Sequence, residues 1–193
     1  YFKNNIKKDL SRRDFTLNSI AWNKKNGFFD PLSGIEDIKK KKINYCKKES
    51  IEDDPVRILR ALRIALKHNF SLSESLKKQI SKKKYLITQF PGERIRGEMK
   101  KGFEINAFEF SKSMMEIEIF ENLFEAWKKT KECKANSVSK MNVEEHSLKT
   151  LENLEKIIAC PKRYYPAWEE HFEKLDKPKW WMYLGALLHD IGK

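Results

Sequence analysis

The sequence predicts an α+β fold that is predominantly α. Three observations carry this. Turn-bounded, extended segments are confined to about the first fifty positions; the apolar spacing from Asp53 onward is helical nearly to the end; and Asp53-Asp54-Pro55 marks a helix start inside the most arginine-rich stretch.

Taken in order, residues 9 to 23, DLSRRDFTLNSIAWN, open on the cap candidates Asp9 and Ser11 and carry Phe15, Ile20 and Trp22 among polar residues. That pattern predicts a helix giving way to a strand near Ile20. In NKKNGFFDPLSG, turn residues at Asn26-Gly27, the apolar Phe28-Phe29 and a second turn at Asp30-Pro31 and Ser33-Gly34 predict a hairpin. A further strand is predicted at Lys42 to Cys46, where Ile43 and Tyr45 alternate with polar neighbours. At Asp53-Asp54-Pro55, a carboxylate that accepts orphan backbone N–H groups precedes a proline that loses no hydrogen bond at the first helical position, so a helix starts near Pro55. Its continuation turns Ile58, Leu62 and either Leu59 or Leu66 to a core and sets Arg57, Arg60 and Arg63 on an adjoining stripe.

Helices are predicted at about 55 to 68, 73 to 84, 92 to 102, 106 to 118 and 119 to 129. In the third, Glu93, Arg96 and Glu98 are placed to pair within the helix around an Ile95/Met99 face. Residues 130 to 140, TKECKANSVSK, are polar and aperiodic and read as a linker. Beyond it, a helix is predicted near Val143 to Ile158, a loop through Pro161, an aromatic-rich helix near Tyr165 to Leu175, and a last helix from Lys179 to about Ile191. No internal repeat is present.

With 193 residues, 40% of them hydrophobic, the chain can fill a core. Its net charge of +12 favours an anionic partner, nucleic acid first. Cys46, Cys133 and Cys160 are far apart and form no C-x-x-C, which indicates neither a zinc cluster nor a disulfide framework and fits a reducing cytoplasm. No apolar run approaches the roughly 20 residues of a membrane span, and no membrane partner is expected. A start at Tyr1 and a stop at Lys193, directly after an apolar helix, suggest an internal fragment.

Two groups of residues suggest nucleotide chemistry. A carboxylate only accepts hydrogen bonds and a guanidinium only donates them, so Asp54 and Arg57, three apart, complement an edge that offers a donor beside an acceptor. Cytosine and adenine have that edge, whereas uracil and guanine present a carbonyl to the carboxylate. Arg12-Arg13-Asp14, with Asn18 beyond, adds two guanidiniums for phosphate oxygens and an acid for a sugar hydroxyl. Together they describe a nucleotide cradle; for an isolated D-x-x-R, a simple cap with solvated arginines is the more common outcome.

RRDFTLNSIA, DPLSGIEDI, DDPVRILRALR and GERIRGEM, in this order and spacing, resemble the motifs that follow the active site in class II tRNA nucleotidyltransferases and bacterial poly(A) polymerases, over roughly residues 9 to 125. The resemblance implies template-independent addition of C and/or A from CTP and ATP to tRNA 3′ ends. By it, Arg12, Arg13 and Asp14 contact ribose and phosphates, Asp54 and Arg57 read the base, Arg60 backs the phosphate side, and Glu93 and Arg94 steady the neck. Asp53 stands where the family usually has Glu. It also implies a division into the C-terminal part of a nucleotidyltransferase head (1–50), a helical neck and body (51–129), a linker (130–140) and the N-terminal part of an HD domain (141–193). In the family, Mg2+ is held by carboxylates on a glycine-rich segment upstream of the RRD motif, and nothing like it stands between Tyr1 and Asp9. No catalytic residue is therefore assigned, and the chain as given is expected to bind nucleotide and RNA without polymerising.

His146 and His189-Asp190 form a second candidate group, since two imidazoles and a carboxylate suit a divalent metal of the Mn, Fe, Ni or Co type. WWMYLGALLHDIGK resembles the HD phosphohydrolase superfamily, whose metal site uses H…HD…D, and EEHSLKTLENL resembles the context of its first histidine. The final Asp of that set would lie farther downstream, so the site here is expected to be incomplete. His68 and His171 fit neither group. Trp127, Tyr164, Tyr165, Trp168, Trp180 and Trp181 recur at helical spacing beside leucines, which favours core positions over stacking on RNA. Two alternatives stand beside nucleotidyl transfer: an HD-type metal-dependent phosphohydrolase, and a basic helical RNA-binding module without chemistry.

Overall fold

A computed structural model of the chain describes residues 2–130, 141–168 and 180–191, which fall into two units, Tyr1–Glu98 and Met99–Lys193. Residues 131–140 of the predicted linker, Cys133, His171 and the end of the predicted 165–175 helix lie outside the described residues. The architecture is α+β and mostly α, and among the described residues the strands are confined to the first unit.

The first unit opens on α1 (Phe2–Ser11), so the helix precedes the RRD segment and does not run through it. Asp9 and Ser11 stand at its last turn and do not start a helix; the Ser11 hydroxyl donates back to Lys8 O. The chain then extends, because Phe15, fully buried, bridges to Tyr45, and only Thr16–Asn18 form a 3-10 turn. The predicted hairpin is present as β1 (Ala21–Asn23) and β2 (Gly27–Phe29), its turn closed by Asn23 Oδ1 accepting from Lys25 and Asn26 N–H. A helix not read from sequence, α2 (Gly34–Lys39), follows, its first N–H groups donating to Asp30 at 2.7 and 2.9 Å. A Cβ on Gly34 would stand 2.1 Å from Thr16 O, so this close approach requires glycine.

Strand β3 is shorter than predicted (Lys42–Ile43) and pairs in parallel with β4 (Ser71–Leu72). Two residues give no readable period, which is why β4 was not predicted from pattern. Between them lie α3 (Ser50–Asp53) and α4 (Arg57–His68), which buries Ile58, Leu59, Ala61, Leu62 and Ile64 and ends on Asn69 in the left-handed conformation. Helix α5 (Glu74–Lys83) is capped by Ser73 Oγ, which accepts from Leu76 N–H, and adds Leu76 and Ile80 to this core.

Helix α6 (Gly92–Glu116) spans the two predicted helices at 92–102 and 106–118 with non-helical backbone at Asn106. There the Asn106 amide oxygen accepts from Glu109 N–H at 2.8 Å and Glu155 accepts from Ala107 N–H at 2.6 Å, so the break is an internal N-cap. The predicted 119–129 helix is two, α7 (Ile119–Leu123) and α8 (Glu125–Thr130). The second unit's core is aromatic: Phe103 meets Phe110 edge-on at 5.9 Å, and Phe120 meets Trp127 at 4.8 Å. A Cβ on Gly102 would stand 2.4 Å from the Phe110 ring. Helix α9 (Val143–Ala159) starts on a capping box of Asn142 and Glu145, the predicted loop at Pro161 is a short helix α10 (Pro161–Tyr164), and α11 (Trp180–Leu188) packs on α9. Trp127 is core, whereas Tyr164, Tyr165 and Trp181 are exposed.

Candidate nucleotide cleft and metal triad

Where α1 ends, Arg12 and Arg13 N–H donate to Asp9 and Leu10 carbonyls, and the chain turns into the extended Asp14-Phe15 step. Burial of Phe15 anchors that step, and Asp14 O accepts from Cys46 N–H and the Ser50 hydroxyl. The Asp14 carboxylate therefore faces α4. Its Oδ1 accepts from Phe15 N–H at 2.8 Å and Asn18 Nδ2 at 2.9 Å, and its Oδ2 pairs with Arg60 Nη1 at 3.1 Å. Asn18 stands at the end of the 3-10 turn and not on a helix shared with Asp14, and its amide reaches back to that carboxylate. Arg57 is fixed by Nη1 donating to Ser50 O and Oγ at 3.2 and 2.7 Å, and by Nη2 donating to Arg12 O at 3.3 Å.

These side chains enclose a cleft of about 450 Å³ lined by Arg12, Arg13, Asp14, Asn18, Arg57 and Arg60. All six were singled out from sequence. Four guanidiniums against one carboxylate make it strongly electropositive, the electrostatics a polyphosphate requires. Burial, the largest influence on Asp14, raises its carboxyl pKa, but hydrogen bonds from Asn18, Arg60 and Phe15 N–H, with the Arg60 charge, outweigh it and hold Asp14 ionised below the usual carboxylate range.

Asp54 is the seventh predicted residue, and it stands beside the cleft in contact with Arg57, not on its wall. The expected cap is absent: α4 has no side-chain cap, and Arg57 and Ile58 N–H donate instead to the main-chain carbonyls of Asp54 and Pro55. Asp53 pairs with Lys47. Asp54 Oδ2 is taken by Arg94 Nη2 at 2.6 Å and lies 3.9 Å from Arg57 Nε. Asp54 Oδ1 and Arg57 Nε are both buried and without a hydrogen-bond partner among the described residues.

Two residues escaped the sequence prediction. Glu98 is only 4% exposed and pairs across to α4; it accepts from Arg63 Nε at 2.8 Å and from Arg60 Nε and Nη2 at 3.4 Å, which makes Arg60 a link between Asp14 and Glu98. Ser50, which aims Arg57, carries no sequence signal, because the contact depends on how α3 precedes α4.

In the second unit, one ligand atom from each of His146, His189 and Asp190 lies within 4.8 Å of the others. The two Nε2 atoms are 3.2 Å apart; Asp190 Oδ1 is 3.3 Å from His189 Nε2, and its Oδ2 is 3.7 Å from His146 Nε2. His189 Nδ1 is 2.9 Å from Ala186 O; donation there leaves the Nε2 lone pair facing the group, as in bound metal sites. The donor set fits a divalent transition ion. His68 is exposed against Phe70 and takes no part.

The fold thus sets a basic cleft on a mixed α+β first unit, and similarity to known proteins says which class of protein carries one. Residues 1–44 match the family model described as "Poly A polymerase head domain", and residues 69–130 match "Probable RNA and SrmB- binding site of polymerase A". The chain belongs to the CCA-adding enzyme and poly(A) polymerase family. A CCA-adding enzyme of Anoxybacillus flavithermus is 36% identical over 102 residues, which are 52% of this chain and 26% of that protein. The chain thus spans about a quarter of the curated relatives it matches. Among solved structures, a CCA-adding enzyme in complex with ATP superposes with a TM-score of 0.74 at 26% identity, over 98% of this chain and 41% of that one. The Thermotoga maritima CCA-adding enzyme complexed with tRNA gives 0.68 at 27% identity, over 95% and 41%. No helix among the described residues is long and apolar enough to cross a membrane.

Proposed function

We propose that the chain is the nucleotide- and RNA-binding part of a template-independent nucleotidyltransferase that adds C and/or A from CTP and ATP to tRNA 3′ ends in the cytoplasm. The observation that supports this most is the pair of orphaned atoms: a buried acceptor, Asp54 Oδ1, and a buried donor, Arg57 Nε, on adjacent side chains beside a basic cleft. Each such group costs about 1–3 kcal/mol, and a cytosine or adenine edge supplies what each lacks. Arg12 and Arg13 neutralise the triphosphate, and Asp14, with three of roughly four acceptor positions used, keeps one for a ribose hydroxyl. Arg60 serves mainly to hold Asp14.

Asp14 in the cleft and Asp54 beside it each face guanidiniums, a donor set that does not fit Mg2+, and no metal-dependent step is assigned to them. Residues 1–50 are assigned to the C-terminal part of a nucleotidyltransferase head, 51–129 to a helical neck and body, 130–140 to a linker and 141–193 to the N-terminal part of an HD domain. Similarity to enzymes solved with ATP and with tRNA supports these partners. The test is direct. Asp54→Ala and Arg57→Ala should each weaken CTP and ATP binding about tenfold or more while tRNA binding holds, and equal loss of both ligands would contradict base reading.

The convergence of His146, His189 and Asp190 favours a second activity, HD-type phosphohydrolysis. A Mn, Fe, Ni or Co ion held by these residues would supply an activated water for a phosphoester. The chain's own part is to present two imidazole Nε2 atoms, one oriented through Ala186 O, beside a carboxylate.

A further inference from the structure

We infer that Arg94 is a positioning residue that keeps the Asp54–Arg57 pair open for the base and thereby sets nucleotide selectivity without touching the nucleotide; the inference rests on the base-reading proposal above. A carboxylate and a guanidinium left free at this separation close into a bidentate pair near 2.8 Å, which would satisfy both reading atoms within the protein and leave nothing for a ligand. Here they do not close: the contact between Arg57 Nε and Asp54 Oδ2 is 3.9 Å, and both Nε and Oδ1 lack partners among the described residues. Two restraints account for the gap. The Arg57 guanidinium is drawn off by Ser50 and by Arg12 O. The Asp54 carboxylate is drawn the other way by Arg94, whose Nη2 takes Oδ2 at 2.6 Å.

Arg94 is itself held in place. Its main-chain N–H donates to Pro91 O at the start of α6, and its guanidinium carbon lies 5.9 Å from the centre of the Phe90 ring. Its side chain is 46% exposed against 14% for Asp54, so it clamps from the solvent side and little of its own burial is at stake. Without it, the lowest-energy partner for Asp54 is Arg57, and the acceptor that discriminates an amine from a carbonyl is lost.

The full chain is titrated with CTP and UTP as wild type, Arg94→Ala, Arg94→Lys, Asp54→Ala and the double variant, with thermal melting alongside. Arg94→Ala should lower the CTP-over-UTP affinity ratio about tenfold with little change in melting, Arg94→Lys should restore most of it, and Arg94→Ala should add nothing in the Asp54→Ala background. If the wild type prefers CTP and Asp54→Ala abolishes the preference while Arg94→Ala retains it, the inference fails alone. If the wild type shows no preference, base reading fails and the inference with it. A rise in CTP affinity on Arg94→Ala would also overturn it, since Arg94 would then be a competitor for Asp54. Loss of melting with an unchanged ratio would reduce Arg94 to a structural contact.

Discussion

Asp14 and Arg60 are separated by 46 positions in sequence and by 3.1 Å in space, and this ion pair joins the RRD segment to α4 across the cleft. Through Glu98 the same guanidinium reaches α6, so the RRD segment, α4 and α6 share one cation.

Arg60→Met should therefore be destabilising by about 2 kcal/mol, because it leaves the largely buried Asp14 carboxylate without its charged partner, while Arg63 still covers Glu98. The urea midpoint should fall with an unchanged slope; a neutral effect would mean that the network contributes nothing net.

Acid should act through Asp14. Its folded pKa is depressed, so its contribution to stability is fully present above its unfolded value, near ~3.9, and is lost as pH falls through the lower folded value. Denaturation of wild type and Asp14→Asn at pH 6, 4 and 3 should show the wild-type advantage shrinking at and below about pH 4. An advantage that grew in acid would reverse the sign of the shift.

Asn106→Ala removes the cap at the break in α6 and should cost about 1 kcal/mol, read from the denaturation midpoint. An increase in stability would show that the break is imposed on the helix and not favoured by it.

Metal binding should follow the triad. Equilibrium dialysis with Co2+ should show one site in the second unit, weakened about tenfold or more by His189→Ala or His146→Ala. Binding that ignores both substitutions would place the ion elsewhere.

Periodicity in the sequence revealed α4, α5 and α9 nearly to the residue, and the two helices read at 92–102 and 106–118 meet at the break at Asn106. The cleft residues were legible because arginine pairs and short acids carry their chemistry in their type. What could not be read was direction. Asp54 resembles a cap in sequence, yet main-chain carbonyls satisfy that helix start and its carboxylate turns to Arg94, 40 positions away. Glu98 likewise looks like a surface pair and is instead the buried end of the Arg60 and Arg63 network. Strand β4 and helix α2 were missed because two- and six-residue elements are set by tertiary pairing and by the Asp30 cap.

Base selection at Asp54 and Arg57 is tested most directly by titrating the wild-type chain with CTP, ATP, UTP and GTP at one ionic strength. CTP and ATP should each bind about tenfold or more tightly than UTP and GTP, since only their edges pair with an acceptor beside a donor. Four equal affinities would show that the cleft holds triphosphates alone and that the pair reads nothing.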